Sequence, residues 1–166
     1  MQSREGGLTT SKLLTMIRGA DTFEEATAYH RSAKEPVFSD ALYDLMQQKG
    51  LSARDMILRS GIERSYFYHI LSGGKTPGRN MVLRIGFCLP CTLPEMNQLL
   101  RLAGLSGLYA RIRRDAALIF AIQHRYTMEQ ANDLLLQAGE EPMYKKDGDT
   151  EKQAPEGDGK GSERHA

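Results

Sequence analysis

The most reactive side chains of the chain are two cysteines, Cys88 and Cys91, which are spaced as C-x-x-C. A structural zinc site needs four ligands, usually two such pairs or one pair with two histidines. The sequence has no other cysteine, and its four histidines are scattered. A thioredoxin-like redox site needs a βαβ unit, and none is visible. We therefore predict no metal and no redox centre, and interpret both cysteines as small packing residues at a helix end.

No constellation for catalysis is visible elsewhere in the 166 residues. The nucleophile elbow G-x-S-x-G, the phosphate-binding loop and the metalloprotease sequence H-E-x-x-H are all missing. The paired acids Glu24-Glu25 and Glu140-Glu141 fit the first turn of a helix and a loop. We therefore expect no catalytic residue, no cofactor and no enzymatic activity.

Composition and charge are those of an ordinary helical protein. Hydrophobic residues make up 40% and charged residues 26%, with six prolines, no tryptophan and a net charge of +1. Runs of β-branched residues are scarce, so we predict an all-α fold. So small a charge excludes nucleic-acid binding by bulk charge alone. The first residues lack the apolar core of a signal peptide and no stretch approaches about 18 apolar residues, so we expect a cytoplasmic protein without a membrane partner.

The best-defined pattern of the sequence lies between Leu51 and Pro77. Ser52 is a good N-cap, and Asp55 stands three residues later to complete a capping box. Gly61 can supply the positive φ of a tight turn before a second short helix. The face of that second helix predicted to be apolar consists of Ile62, Phe67, Ile70 and Leu71. Two short helices joined by a glycine turn form a helix-turn-helix pattern.

These residues resemble the helix-turn-helix of phage-repressor and Cro-like transcriptional regulators of the xenobiotic-response-element type. The resemblance covers residues 38–90 and rests on Leu51-Ser52, Gly61-Ile62, Arg64-Ser65, Phe67, Ile70 and Ser72-Gly73…Pro77. It implies that the second helix enters the major groove of DNA, where Arg64 and Ser65 would face base edges. Arginine suits O6 and N7 of guanine. Lys75 would contact one phosphate, and Ser52 with the first N–H groups of its helix another.

The resemblance implies a partner, double-stranded DNA, and a set of contact residues. The predicted DNA-binding residues are Ser52, Arg54, Arg64, Ser65, Tyr68, His69 and Lys75. Residues 38–90 carry seven basic and four acidic side chains, so the small positive bias of the chain falls on this segment. One module of this size usually gives too little specificity, so we expect a homodimer.

Three positions depart from the family pattern and keep a second interpretation open. Ala53 stands where the family usually has a glutamine that contacts the DNA backbone, and Ile57 replaces a small alanine of the same helix. Tyr68 stands where the family tends to keep a small residue close to the bases. Together with Tyr66 it forms an aromatic surface that suits a protein partner as well as DNA. The alternative is a protein–protein adaptor that kept the fold and lost DNA binding.

Residues 1–37 form a predicted N-terminal arm with two weaker helical patterns. Thr10 or Ser11 can cap the first helix, and Gly19 ends it. Thr22-Phe23-Glu24-Glu25 is typical of a capping box at the start of the second. This arm either packs on the core or awaits a partner.

Two further segments complete the organisation around the motif. Residues 38–50 are predicted to form the first helix of the repressor-like domain, capped by Ser39 and ended by Gly50. Residues 145–166 contain no aromatic side chain and no aliphatic one larger than alanine. Such a segment cannot bury enough apolar surface to offset the entropy of ordering, so we predict a disordered tail.

An internal repeat organises the C-terminal part of the chain. Residues 79–109 repeat as 114–144 without gaps, at an offset of 35 residues that places Thr92 over Thr127. Each copy predicts an apolar helix capped by Asn80 or Asp115, a threonine-capped second helix and an Ala-Gly end, which together form a helical hairpin. A stacked array needs about three such units. We therefore predict one duplicated hairpin, which extends the repressor-like domain through residues 91–144.

The second copy adds two features. Residues 116–122 are nearly all apolar, so this helix is predicted to be buried on every side, or covered by a second chain. The arginines of the same region form a second basic cluster, which consists of Arg111, Arg113, Arg114 and Arg125. They could bind phosphates, but such runs more often pair with neighbouring acids at the surface.

Overall fold

The computed structural model of the chain describes residues 10–28 and 36–146. Every regular element in these residues is an α-helix and none is a strand, so the predicted all-α class is confirmed. No described helix is long and apolar enough to cross a membrane. The helices are α1 (Thr10–Arg18), α2 (Phe23–Ala26), α3 (Phe38–Gln48), α4 (Ala53–Ser60), α5 (Arg64–Leu71), α6 (Arg79–Cys88), α7 (Leu93–Leu102), α8 (Arg113–Gln123) and α9 (Met128–Gln137).

The chain divides into two compact units, the first ending at Val37 and the second beginning at Phe38. The predictions for residues 1–9 and 29–35 of the arm lie outside the described residues, as does all of the predicted tail beyond residue 146. The first unit contains α1 and α2. Thr10 and Ser11, the two predicted caps, both lie within α1, so this helix starts earlier than expected.

The predicted capping box of α2 forms only in part. The hydroxyl of Thr22 accepts the N–H of Glu25 at 3.2 Å, as expected. The carboxylate of Glu25, however, accepts the N–H of Asp21 at 3.1 Å instead of that of Thr22. The helix α2 has only four residues and none of them is buried, so no packing against other elements fixes the geometry of its start.

The second unit begins with α3, whose start corrects the prediction for Ser39. Ser39 lies inside the helix rather than at its N-cap, because α3 already begins at Phe38. Phe38 is buried with Leu42, Leu45 and Met46 on the same face. Burial of an aromatic ring in the first turn outweighs the preference of serine for the cap position.

The helix-turn-helix pattern forms α4, a turn and α5. Ser52 and Asp55 make both hydrogen bonds of the predicted capping box, at 3.1 and 2.9 Å. Gly61 has φ 64°, a left-handed conformation that other residues rarely adopt, and it ends α4. Glu63 then caps α5 by accepting the N–H groups of Ser65 and Tyr66. This acceptor role lowers the pKa of the Glu63 carboxyl.

The remaining helices form two pairs, α6 with α7 and α8 with α9, that share the same local contacts. Thr92 and Thr127 cap the second helix of each pair with a complete capping box. The N–H of Leu108 donates to Oδ1 of Asn97 at 2.8 Å. Thirty-five residues later, the N–H of Met143 donates to Oδ1 of Asn132 at 2.8 Å. These bonds tie the segment after each pair back onto its second helix.

The predicted caps of the first helix of each pair are wrong. Asn80 and Asp115 lie inside α6 and α8, whose N-caps are Gly78 and Ile112 without a side-chain cap bond. Both polar side chains accept hydrogen bonds from arginines of the other pair instead.

The contacts between the two pairs are reciprocal. Nη2 of Arg79 donates to both carboxylate oxygens of Asp115 at 3.2 Å, and Nη2 of Arg114 donates to Oδ1 of Asn80 at 2.8 Å. Both partners of the second contact stand 35 residues from those of the first. Accordingly α6 packs on α9, and α7 packs on α8. Such exchange of partners is the mark of a self-complementary interface, here within one chain.

Burial of α8 differs from the prediction. Among its apolar residues only Leu118 and Ala121 are buried, and Phe120 is 45% exposed. The expectation that this helix is buried on every side is wrong within the single chain. The physical reason is position, because α8 packs on α7 and α9 while its far side faces away from both. Cover by a second chain stays a prediction.

Candidate nucleic-acid interface

One face of α5 presents all of its predicted contact residues to solvent. Arg64, Ser65, Tyr68 and His69 are exposed, whereas Phe67 and Ile70 are completely buried. The separation follows from the helical period, which places residues three and four apart on one side. Packing of the buried side against α3 and α4 therefore holds the polar side outward.

Each cation of this face lies against an aromatic ring. The guanidinium carbon of Arg64 is 5.5 Å from the centre of the Tyr68 ring. Nζ of Lys75 is 5.3 Å from the centre of the Tyr66 ring. Such contacts contribute about 0.5–1 kcal/mol at exposed sites and restrict the motion of long side chains. The basic and the aromatic features of the sequence thus meet in two pairs, Arg64 with Tyr68 and Lys75 with Tyr66.

Sequence reasoning missed these two pairings, although one of them left a signal. Arg64 and Tyr68 are four residues apart, which is the spacing of neighbours on a helix surface. Lys75 lies beyond the end of α5, so no helical spacing relates it to Tyr66. Only the path of the loop after α5 decides that contact.

His69 holds that loop. Its carbonyl oxygen accepts the hydroxyl of Ser72 and the N–H of Gly74, both at 3.0 Å. A methyl group on Gly74 would overlap the imidazole of His69, so the loop passes directly over the ring. The predicted contact residue His69 therefore also places Lys75 beside α5.

The start of α4 is less suited to a phosphate than predicted. The hydroxyl of Ser52 donates to Oδ2 of Asp55 at 2.8 Å, and the N–H of Ser52 donates to the same oxygen at 2.9 Å. These bonds from the backbone and the hydroxyl of Ser52 lower the pKa of the Asp55 carboxyl. A carboxylate thus takes the Ser52 hydroxyl that was expected to hold a phosphate and places a negative charge beside the first N–H groups of α4. Arg54 is exposed beside it.

The two departures on α4 serve packing. Ala53 and Ile57 are both half-buried and contact the core of the second unit. Neither side chain projects freely into solvent at the position where the family's glutamine or alanine stands. These two residues therefore belong to the support of α5.

The cysteines are buried at the end of α6 and near the start of α7. Cys88 is 5% and Cys91 7% exposed. Burial raises the pKa of the Cys88 thiol to about 11 and that of Cys91 to about 12. Both stay protonated near neutral pH, and the thiolate is the reactive form. In the described parts of the chain, no group of three or more His, Cys, Asp or Glu side chains could hold a metal ion.

The second basic cluster is not one surface. Arg114 is half-buried and donates to the carbonyl of Glu141 and to Asn80, so it holds structure. Nε of Arg113 lies 3.9 Å from Glu140 in an exposed ion pair, which contributes little. Arg111 and Arg125 are exposed.

Comparison with protein-family models, with curated proteins and with solved structures finds no match for this chain. The assignment of function therefore depends on the surface of α5 and its supports.

Proposed function

We propose that the chain is a sequence-specific DNA-binding transcriptional regulator. Its repressor-like helix-turn-helix domain is extended by a second, duplicated helical hairpin. The observation that carries the proposal is the outer face of α5, where Arg64, Ser65, Tyr68 and His69 are exposed after a capped helix and a left-handed glycine turn. In this arrangement α5 enters the major groove and Arg64 donates to guanine O6 and N7.

The duplicated hairpin is supported by contacts that recur in both pairs at an offset of 35 residues. Asn97 and Asn132 each accept one N–H from the segment that follows the pair. A larger side chain in one pair is also matched by a smaller neighbour, so that the two pairs fill the same space. Gly86 leaves room for Met96 in the first pair, whereas Ala121 and Ala131 occupy the corresponding positions in the second. Such compensation is expected when two copies of one packing unit diverge.

The proposed phosphate contacts come from Lys75 and Arg54. Lys75 is exposed and is held beside α5 by the loop over His69. Asp55 makes the start of α4 unfavourable for an anion, so Ser52 contributes to DNA binding only through its support of that helix. Because only these two side chains are proposed to reach phosphates, we expect a shallow salt dependence.

The proposed form on DNA is a homodimer in the cytoplasm, without enzymatic activity. A single module of this size buries too little DNA surface for high specificity. The exposed side of α8 around Phe120 offers apolar surface for the second copy.

Selection from a random duplex library followed by affinity measurements at two salt concentrations tests the proposal. Arg64→Ala should reduce discrimination at one or two base positions by about 1–3 kcal/mol. Lys75→Ala should weaken binding to all sequences alike and reduce the slope of log K against log salt by about 1. Binding that is undetectable, or independent of salt, contradicts the proposal.

A second candidate function is an adaptor that binds a protein through the same surface. It is favoured by the pairing of Arg64 with Tyr68, since arginine and tyrosine are enriched among the few residues that dominate the binding energy of protein interfaces. A pull-down with the wild type and a Tyr66→Ala/Tyr68→Ala double variant tests it. The adaptor function is excluded if no captured partner depends on the two tyrosines.

A further inference from the structure

A hydrogen-bonded turn joins α4 to α5 and depends on Arg84 of α6. Nη2 of Arg84 donates to the carbonyl oxygen of Ser60 at 2.7 Å. Ser60 is the last residue of α4 and is 1% exposed, and its hydroxyl accepts the N–H of Ile62 at 3.2 Å. Gly61 lies between them with φ 64°. The carbonyl and the hydroxyl of Ser60 thus hold both sides of the turn that directs α5.

Arg84 is an unusual cation because it has no acidic partner in the part of the chain that the structure describes. It is half-buried, and no carboxylate of the described residues pairs with it. Its Nε is buried and has no hydrogen-bond partner. Burial lowers the pKa of the guanidinium. Its charge is therefore compensated by the carbonyl end of α4 and by the ring of Tyr144, whose centre lies 5.2 Å from the guanidinium carbon.

Tyr144 is held in place by the second helix pair. The side-chain amide of Asn132 donates to the carbonyl oxygen of Tyr144 at 2.9 Å, and its oxygen accepts the N–H of Met143 at 2.8 Å. Asn132 is completely buried and Met143 is 4% exposed. The backbone that carries the ring against Arg84 is consequently held by α9.

We propose that Tyr144 is a positioning residue for DNA binding. It keeps Arg84 on the carbonyl of Ser60 and so fixes the turn that sets the direction of α5. The inference rests on the proposed function, and it makes the second helix pair a support of the recognition helix.

The first pair has no equivalent of this contact. Tyr109, which stands 35 residues before Tyr144, is 56% exposed. The residue 35 positions after Arg84 is Ile119, which carries no charge. Tyr109 therefore serves as a matched control that removes the same ring from the corresponding place in the repeat.

Two measurements on the full chain test the proposal. The first is hydrogen exchange at the amides of Gly61 and Ile62, and the second is affinity for a duplex selected with the wild type. Tyr144→Ala should speed exchange at these amides by about five- to tenfold and weaken DNA binding by a similar factor. Tyr144→Phe keeps the ring and should behave as the wild type, as should Tyr109→Ala.

The outcomes separate the proposal from a general loss of stability. Tyr144→Ala could speed exchange throughout the second unit because the whole unit is less stable. In that case the Arg84→Lys variant is tested instead, because lysine keeps the charge but cannot stack as a planar group. That variant should speed exchange at Gly61 and Ile62 while the amides of α9 stay protected. Equal behaviour of the Tyr144→Ala and Tyr109→Ala chains overturns the proposal, as does faster exchange with unchanged DNA affinity. If the wild type binds no DNA, the proposed function fails, and exchange at the turn still decides whether Tyr144 holds it.

Discussion

The two helix pairs, α6–α7 and α8–α9, make the same local contacts in different surroundings. The first pair packs on α3, α4 and the second pair, whereas the main packing partner of the second pair among the described residues is the first pair. Ile85 is completely buried, and Phe120, 35 residues later, is 45% exposed. Local contacts thus follow residue type, while burial follows the neighbours that each pair receives.

Truncation of these two equivalent residues should give the largest difference. Ile85→Ala removes fully buried atoms and leaves a cavity, so the free energy of unfolding should fall by about 3 kcal/mol. Phe120→Ala removes a half-exposed ring and should cost less than about 1 kcal/mol. Denaturation in urea measures both. Equal losses would mean that another part of the chain or a second copy covers Phe120.

Removal of the two asparagines compares the same hydrogen bond at two degrees of burial. Asn132→Ala leaves the N–H of Met143 buried without an acceptor and should cost about 2–3 kcal/mol. Asn97 is only half-buried, so water can replace its bond to Leu108, and Asn97→Ala should cost about 1 kcal/mol. The same urea titration checks the ranking, and a reversed order would contradict the burial difference between the pairs.

The stability of the folded chain should fall in alkali, because the Cys88 thiol is buried at the end of α6. The unfolded Cys88 thiol ionises near its ordinary pKa of 9, whereas burial holds the folded pKa at about 11. The unfolded state therefore loses its proton first, so stability is full below pH 9 and declines as the pH rises towards the folded value, by about 2 kcal/mol.

A Cys88→Ala variant measures this effect. Its stability should decline less than that of the wild type between pH 9 and 11, whatever the cost of the small cavity at neutral pH. The corresponding position of the second pair is Gln123, which does not titrate. An identical decline in the two chains would place the alkali sensitivity elsewhere.

The smallest difference is expected between the two threonine caps, whose loss should cost the same stability. Thr92 and Thr127 cap the second helices of the two pairs with the same pattern of bonds. Each threonine is exposed, so each alanine variant should cost about 1 kcal/mol. Thermal unfolding of the two variants should coincide. A difference between them would show that even the caps depend on the surroundings of each pair.

Much of the fold follows from short-range patterns. Capping boxes join residues three positions apart, so residue type decides whether they form, as at Ser52, Thr92 and Thr127. The left-handed turn is decided by a single residue, Gly61. The predicted position of Ser39 was wrong because burial of Phe38 competes with capping, and burial depends on distant residues.

In the candidate site, too, the features set by neighbouring residues could be predicted and those set by distant residues could not. The exposed face of α5 was predicted from the helical period, which needs only neighbours on one helix. The anion-repelling Asp55 was visible in the same motif, because its capping role and its charge are properties of one residue. The contact of Lys75 with Tyr66 was not visible, because it depends on the path of a loop.

The amino-acid sequence by itself determined the helices of the second unit, the capping boxes of α4, α7 and α9 and the internal repeat, because these depend on residues close in the chain. Only the tertiary structure decided that the two pairs exchange partners, and that Arg84 joins Tyr144 to the turn before α5. Contacts between residues 24 to 60 positions apart depend on how the helices pack. No local pattern specifies that packing, since each buried face could match several partners.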